Sequence, residues 1–132
     1  MDCYDPEVAP SREDWLALDE GERIVLAEWY HRDARIHLPR AARTLHATIH
    51  VVVENQLAEN DEQVDRALAR LMKEGLSRHD AVHAIGSVVA QELSDAMNLK
   101  DTAESLRARY YAALGRLTAA VWRGNDDGRQ NK

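Results

Sequence analysis

Cysteine is nearly absent from this chain: Cys3 is the single one among 132 residues. No intramolecular disulfide framework can form, and a reducing compartment is the expectation. Long apolar runs are missing too. No eighteen consecutive apolar residues occur, which speaks against a membrane-spanning helix, and the opening MDCYDPEVAP has neither the basic region nor the apolar core of a secretion signal. A cytoplasmic location is expected. Basic charge is in deficit, with 17 Lys and Arg against 23 Asp and Glu for a net charge of −6. Wholesale binding to phosphate backbones needs a basic face, so a nucleic acid is not an expected partner. The one basic cluster, HRDARIHLPRAAR from His31 to Arg43, reads as a solvated linker. Strand signals are almost absent. So are the signatures of familiar chemistry, since no His-Glu-x-x-His, nucleophile elbow or phosphate-binding loop occurs.

What remains is helix. At 132 residues the chain has the size of one domain with a real core. Ser11-Arg-Glu-Asp14 fits a capping box ahead of Trp15, Leu16 and Leu18, and a second start follows at Asp19-Glu-Gly-Glu22. Pro39 marks a break. The next helix runs from about Arg40 to Ala58, and another opens with acidic Asp61 and Glu62 and closes with Arg70, Lys73 and Gly75, charges that suit its two ends. On it Val64, Ala67, Leu68, Leu71 and Met72 share one face. Ser77 is the expected N-cap of a helix from Arg78 to about Met97, with Asp80 three residues on. A last helix is expected from about Asp101 to Arg123, carrying the stripe Ala103, Leu106, Tyr110, Ala113, Leu117 and Val121. The fold class is therefore all-α: a single-domain bundle of about five to six helices over residues 11–123, with a flexible N-terminus (1–10) and a disordered C-terminal tail (124–132).

The informative feature lies on two of these helices. His46 and His50 are four residues apart, with Glu54 at the same interval, and His79 and His83 repeat the spacing. Six histidines at this chain length would give about 0.3 such pairs by chance, so two pairs call for a reason. Four residues is just over one helical turn, and each set therefore lines one face. Leu45, Ile49, Val52, Val53 and Leu57 flank the first line, and only Thr44, Thr48 and Asn55 suggest a wet side. A helix this apolar belongs near the centre of the bundle, where polar groups need partners.

Two arrangements supply those partners: a bound cation, or a hydrogen-bonded network between the two histidine pairs. Four imidazoles with a carboxylate suit zinc first, with nickel, copper or iron also compatible. His46 and Glu54 lie about 12 Å apart along the axis, so they do not both bind one ion closely. The Glu-x-x-His spacing of ferritin-like dinuclear sites is absent from these stretches. Gly86 and Ala90, near the second pair, would admit a close helix crossing, and the first-turn position of His79 favours neutral imidazole. His31 and His37 are lone histidines, structural in the first instance. Glu28 and Asp33 are candidates to orient an imidazole. Trp15, Trp29, Tyr30, Tyr110 and Trp122 read as core or interface.

The segments HATIHVVVENQLA and RLMKEGLSRHDAVHAIGSVVA together resemble a family of small uncharacterised bacterial proteins, a domain of unknown function. In that family a His-x-x-x-His segment with a following acidic residue precedes Gly-x-x-Arg-His-(Asp or Glu)-Ala-x-His. The matching positions here are His46, His50, Glu54, Gly75, Arg78, His79, Asp80, Ala81 and His83. DWLALDEGER and LTAAVWR look similar as well, so the resemblance covers about Asp14 to Arg123. It implies a helical fold and a suspected site, and it names no substrate.

Two functions follow from these residues. One is a non-catalytic helical module with a structural or interaction role, a homodimer or a protein its partner, in which His46, His50, Glu54, His79 and His83 form a metal or polar site. The other is a metal-dependent, hydrolase-like enzyme using the same histidines, with Glu54 as ligand or general base. Catalysis would require an open coordination position and a substrate pocket. Histidine acid/base chemistry without metal is a third use of the same groups.

Overall fold

The computed structural model describes the backbone of residues 1–33, 40–99 and 102–130, and the side chains of 1–30, 42–97 and 102–124. Among the described residues seven helices follow in order: α1 (Arg12–Ala17), α2 (Glu20–Asp33), α3 (Arg40–Ala58), α4 (Glu62–Lys73), α5 (Arg78–Leu99), α6 (Ala103–Arg116) and α7 (Ala119–Gln130). The all-helical expectation holds, and among the described residues no strand occurs. The chain divides into two compact units, Met1–Asp61 and Glu62–Lys132.

In the first unit, sequence-encoded caps set the helix starts. Ser11 Oγ accepts from the Asp14 N–H at 3.4 Å. Asp19 and Glu22 form a reciprocal box, the Glu22 N–H donating to Asp19 Oδ1 at 2.8 Å and the Asp19 N–H to Glu22 Oε1 at 3.4 Å. The Glu22 backbone N–H is the chief reason that the Asp19 carboxyl is held below the usual aspartate range. Helix α3 packs against α1 and α2. The core joins Tyr4, Trp15, Leu26, Ala27, Ala47, Val51 and Ala58, with Leu18, Ile24 and Tyr30 at its margin. Fully buried Ala27 on α2 and Ala47 on α3 leave little side chain at the contact, which suits a close helix approach.

One polar group is built into this apolar packing. Asn55 Oδ1 accepts from Trp15 Nε1 and from Arg23 Nη1, both at 2.9 Å. Arg23 also donates through Nη2 to the carbonyls of Leu16 (3.2 Å) and Leu18 (2.8 Å), which satisfies the C-terminal end of α1. Asn55 is thus no part of a wet face. It ties α3 to both α1 and α2.

Helix α3 ends at Asn60, whose φ of 61° is left-handed. The Asp61 N–H reaches the Gln56 carbonyl (3.0 Å) and the Asn60 N–H the Leu57 carbonyl (3.2 Å), a Schellman closure.

In the second unit, α4 buries Val64, Ala67 and Leu71 and leaves Met72 exposed at the edge of the expected face. It closes by the same motif as α3, with the Leu76 N–H on the Leu71 carbonyl (3.1 Å) and the Gly75 N–H on the Met72 carbonyl (3.0 Å). Here Gly75 takes φ 108°, a conformation that a side chain resists. Ser77 Oγ then accepts from the Asp80 N–H at 3.1 Å and starts α5 as expected. Helix α5 packs on α4, α6 and α7.

The expected last helix is in fact two, so the count is seven rather than five to six. Leu117 is extended (φ −71°, ψ 130°), and Thr118 Oγ1 takes the Val121 N–H at 3.1 Å to cap a new helix. The cause is tertiary. Arg70 on α4 donates to the carbonyls of Leu114 (2.8 Å) and Leu117, acceptors that a continuous helix would have used itself. Glu74, one turn on, accepts the Ala119 N–H at 2.8 Å and caps α7. A cation thus meets a helix C-terminus and an anion meets an N-terminus, each favoured by the local dipole. Leu114, Leu117 and Ala119 are buried at this corner, whereas Val121 of the expected stripe faces solvent. Helix α7 runs on to Gln130, through most of the stretch expected as a tail.

Candidate metal centre

The five candidate ligands are shared between the two units: His46, His50 and Glu54 on α3, His79 and His83 on α5. On α3 the line of polar side chains does run into the interior. His50 and Glu54 are each only 2% exposed, and His46 is half-buried one turn earlier. The His46 and His50 rings lie with centroids 5.1 Å apart and planes tilted by 50°, and each offers a ring nitrogen within 4.8 Å of the other's. Of the flanking apolar residues, Val53 and Leu57 are buried, but Leu45 is 64% exposed. Ala47 and Val51, rather than Leu45, face the core because α1 and α2 both cover that side.

A residue from the chain's start completes this cluster. Tyr4 is buried, its hydroxyl 2.6 Å from Glu54 Oε2 and 3.1 Å from His50 Nδ1. The hydroxyl has one proton, and the short bond to the carboxylate takes it. Its oxygen is therefore an acceptor toward His50, which must present Nδ1–H. A neutral imidazole protonated at Nδ1 carries its lone pair on Nε2, and this nitrogen is fully buried. The tautomer follows from the hydrogen-bond geometry.

Ring packing holds Tyr4 in place. Its centroid is 5.5 Å from Trp15, 6.3 Å from Tyr30 and 5.9 Å from His50, the latter two edge-on. Pro6 is also fully buried, and the Asp5–Val8 turn between 5 and 8 is closed by the Val8 N–H on the Asp5 carbonyl at 3.0 Å. The stretch expected as a flexible N-terminus thus carries two core side chains.

On α5, His79 and His83 bring their Nε2 atoms to 3.1 Å, with ring centroids 4.3 Å apart. At that distance one nitrogen donates and the other accepts, so the pair shares one proton across the contact. The same spacing suits a shared ion. Two imidazole nitrogens bound tetrahedrally at a Zn–N distance of about 2.05 Å lie about 3.3 Å apart. Gly86 is buried, as a close crossing there would require, but Ala90 faces solvent.

His31 and His37 lie outside the described side chains, as does Asp33; Glu28 is half-buried on α2. A separate cleft of about 520 Å³ in the first unit is lined by apolar Leu18, Val25, Leu26 and Trp29 together with Asp2 and Glu22. None of the five candidate ligands lines it. Trp29 is 47% exposed there and is not a core residue. Among the described residues no helix is long and apolar enough to cross a membrane.

No family model, curated protein or solved structure matches the chain. What the site can do rests on its own geometry. Of the residues that hold α3, Tyr4 carried no signal in the sequence, and Asn55 carried that of a wet face. The pairing of Tyr4 with α3 spans 46 to 50 positions, and Asn55 reads as an ordinary exposed amide on a helix.

Proposed function

We infer that the protein is a non-catalytic helical module that binds a divalent transition metal, zinc first, through its paired imidazoles. The observation that carries the reading is the setting of His50: its Nδ1 is engaged by Tyr4, and its ring is buried one turn from a second imidazole that offers a ring nitrogen within 4.8 Å. Two imidazole nitrogens this close can chelate one ion. The His79–His83 pair adds a second chelate of suitable bite. Each pair offers two imidazoles, donors that suit zinc, and none of them lines the cleft of the first unit, which favours a structural over a hydrolytic role. Glu54 serves the site through Tyr4. The role of such a metal is to stabilise the fold for interaction with a second copy or a protein partner.

The test is metal analysis of protein purified without chelator or histidine tag, with thermal melting before and after chelation. About one equivalent of zinc and a melting temperature that falls on chelation are expected; a ligand at 100 times its Kd adds about 2.7 kcal/mol. Less than about a tenth of an equivalent of any transition metal, with an unchanged melt, sinks the reading. His50→Ala and His83→Ala should each lower the bound equivalents.

A further inference from the structure

The buried triad of Tyr4, Glu54 and His50 does more than fill space. We propose that Tyr4 is a positioning residue for metal binding: its hydroxyl, held by Glu54, fixes the Nδ1–H tautomer of His50 and so makes Nε2 the ligand nitrogen. The inference rests on the metal-binding reading and adds to it the part of the chain that controls affinity.

The chemistry is a proton count. Glu54 Oε2, at 2.6 Å, takes the only proton of the Tyr4 hydroxyl. The hydroxyl oxygen can then only accept from His50, at 3.1 Å from Nδ1. Metal-bound histidines commonly donate their remote N–H to a carboxylate or carbonyl, which orients the ring and raises its basicity. Here a carboxylate does the same through a phenol. The Tyr4 ring cannot drift from this role, packed as it is on Trp15, Tyr30 and His50.

Coupling between the N-terminal arm and the metal follows. If Tyr4 strengthens metal binding by some factor, bound metal strengthens the docking of residues 1–10 by the same factor, because linkage is reciprocal. Metal occupancy is thereby reported at the N-terminus. The arm becomes harder to cleave when the ion is bound.

Two variants test this on the full chain. Tyr4→Phe keeps the ring and its aromatic contacts but deletes the hydroxyl; zinc affinity, read by competition with a chromophoric chelator, should fall 10–100-fold. Glu54→Leu, of similar bulk, removes the acceptor without leaving a charge, and the Tyr4 proton then turns to His50 Nδ1. Long-range proton–nitrogen NMR of metal-free protein should show His50 protonated at Nδ1 in the wild type and at Nε2 in Glu54→Leu. Limited proteolysis near residues 1–10 should slow when zinc is added to the wild type and change little in Tyr4→Phe. Wild-type His50 protonated at Nε2, or a Tyr4→Phe protein that binds zinc as tightly as the wild type, overturns the proposal. A wild type that binds no zinc removes the metal function itself, and the NMR comparison still decides the tautomer. Should Tyr4→Phe fail to fold, Glu54→Leu carries the same test.

Discussion

Replacing Asn55 by Leu is the sharpest probe of how the first unit is held together. Both side chains carry four heavy atoms in the same branched arrangement, so the change removes polarity while keeping the shape. Two donors lose their acceptor, Trp15 Nε1 and Arg23 Nη1, each at 2.9 Å. Trp15 is fully buried, and a stranded buried N–H costs about 1–3 kcal/mol. Arg23 is half-buried and keeps the Leu16 and Leu18 carbonyls, so its loss adds at most about 1 kcal/mol. The expected destabilisation is about 1–4 kcal/mol, a large share of the 5–15 kcal/mol that domains possess. Urea unfolding followed by tryptophan fluorescence would measure it, as a midpoint lowered by about 0.5–4 M for a slope near 1–2 kcal/mol/M. Asn55→Asp is the control. It keeps the acceptor, adds attraction to Arg23, and should lie within about 1 kcal/mol of wild type at pH 7. A loss below about 0.5 kcal/mol in Asn55→Leu would refute the idea that this amide is a structural junction.

Three further outcomes are expected. Gly75→Ala should lose about 1–3 kcal/mol, because φ 108° strains any side chain and the new Cβ would sit 3.2 Å from the mobile end of Arg123; Gly115→Ala, with nothing within 4 Å, should instead gain about 0.4–1 kcal/mol in the same melt. Above pH 10 the first unit should weaken. Burial, and then Asp5 and Glu7, push the Tyr30 phenol above its ordinary value near 10.0, so the stability tied to its proton is intact below that value and is lost as the pH rises through the higher native one. A Tyr30→Phe protein with the same alkaline unfolding curve as wild type would show that another group is responsible.

Local signals were legible in the sequence where they determine structure locally. Ser11, Asp19 and Ser77 announce helix starts that the chain then uses, and Gly75 marks the end of α4. The spacing of His46, His50 and Glu54 foretold a polar line entering the interior of α3. What escaped was decided at a distance. LTAAVWR continues a helical period, and only Arg70 and Glu74 on another helix break it at Leu117 and Thr118. Leu45 is apolar and on the expected side, yet exposed, since the covering helices α1 and α2 lie against Ala47 and Val51. Tyr4 stands in a segment without periodicity, and no pattern around it points to a carboxylate 50 positions on.

That separation also bears on the order of folding. Closing a loop of this length costs about 3.5 kcal/mol of chain entropy before any contact offsets it. The helices of the first unit can pair with one another earlier, leaving the tyrosine to dock last. Interactions formed after the transition state govern how fast a protein opens, not how fast it forms. The phenol that sets the histidine's tautomer is therefore also the latch of the first unit: its removal should shorten the lifetime of the folded state while leaving the folding rate nearly unchanged.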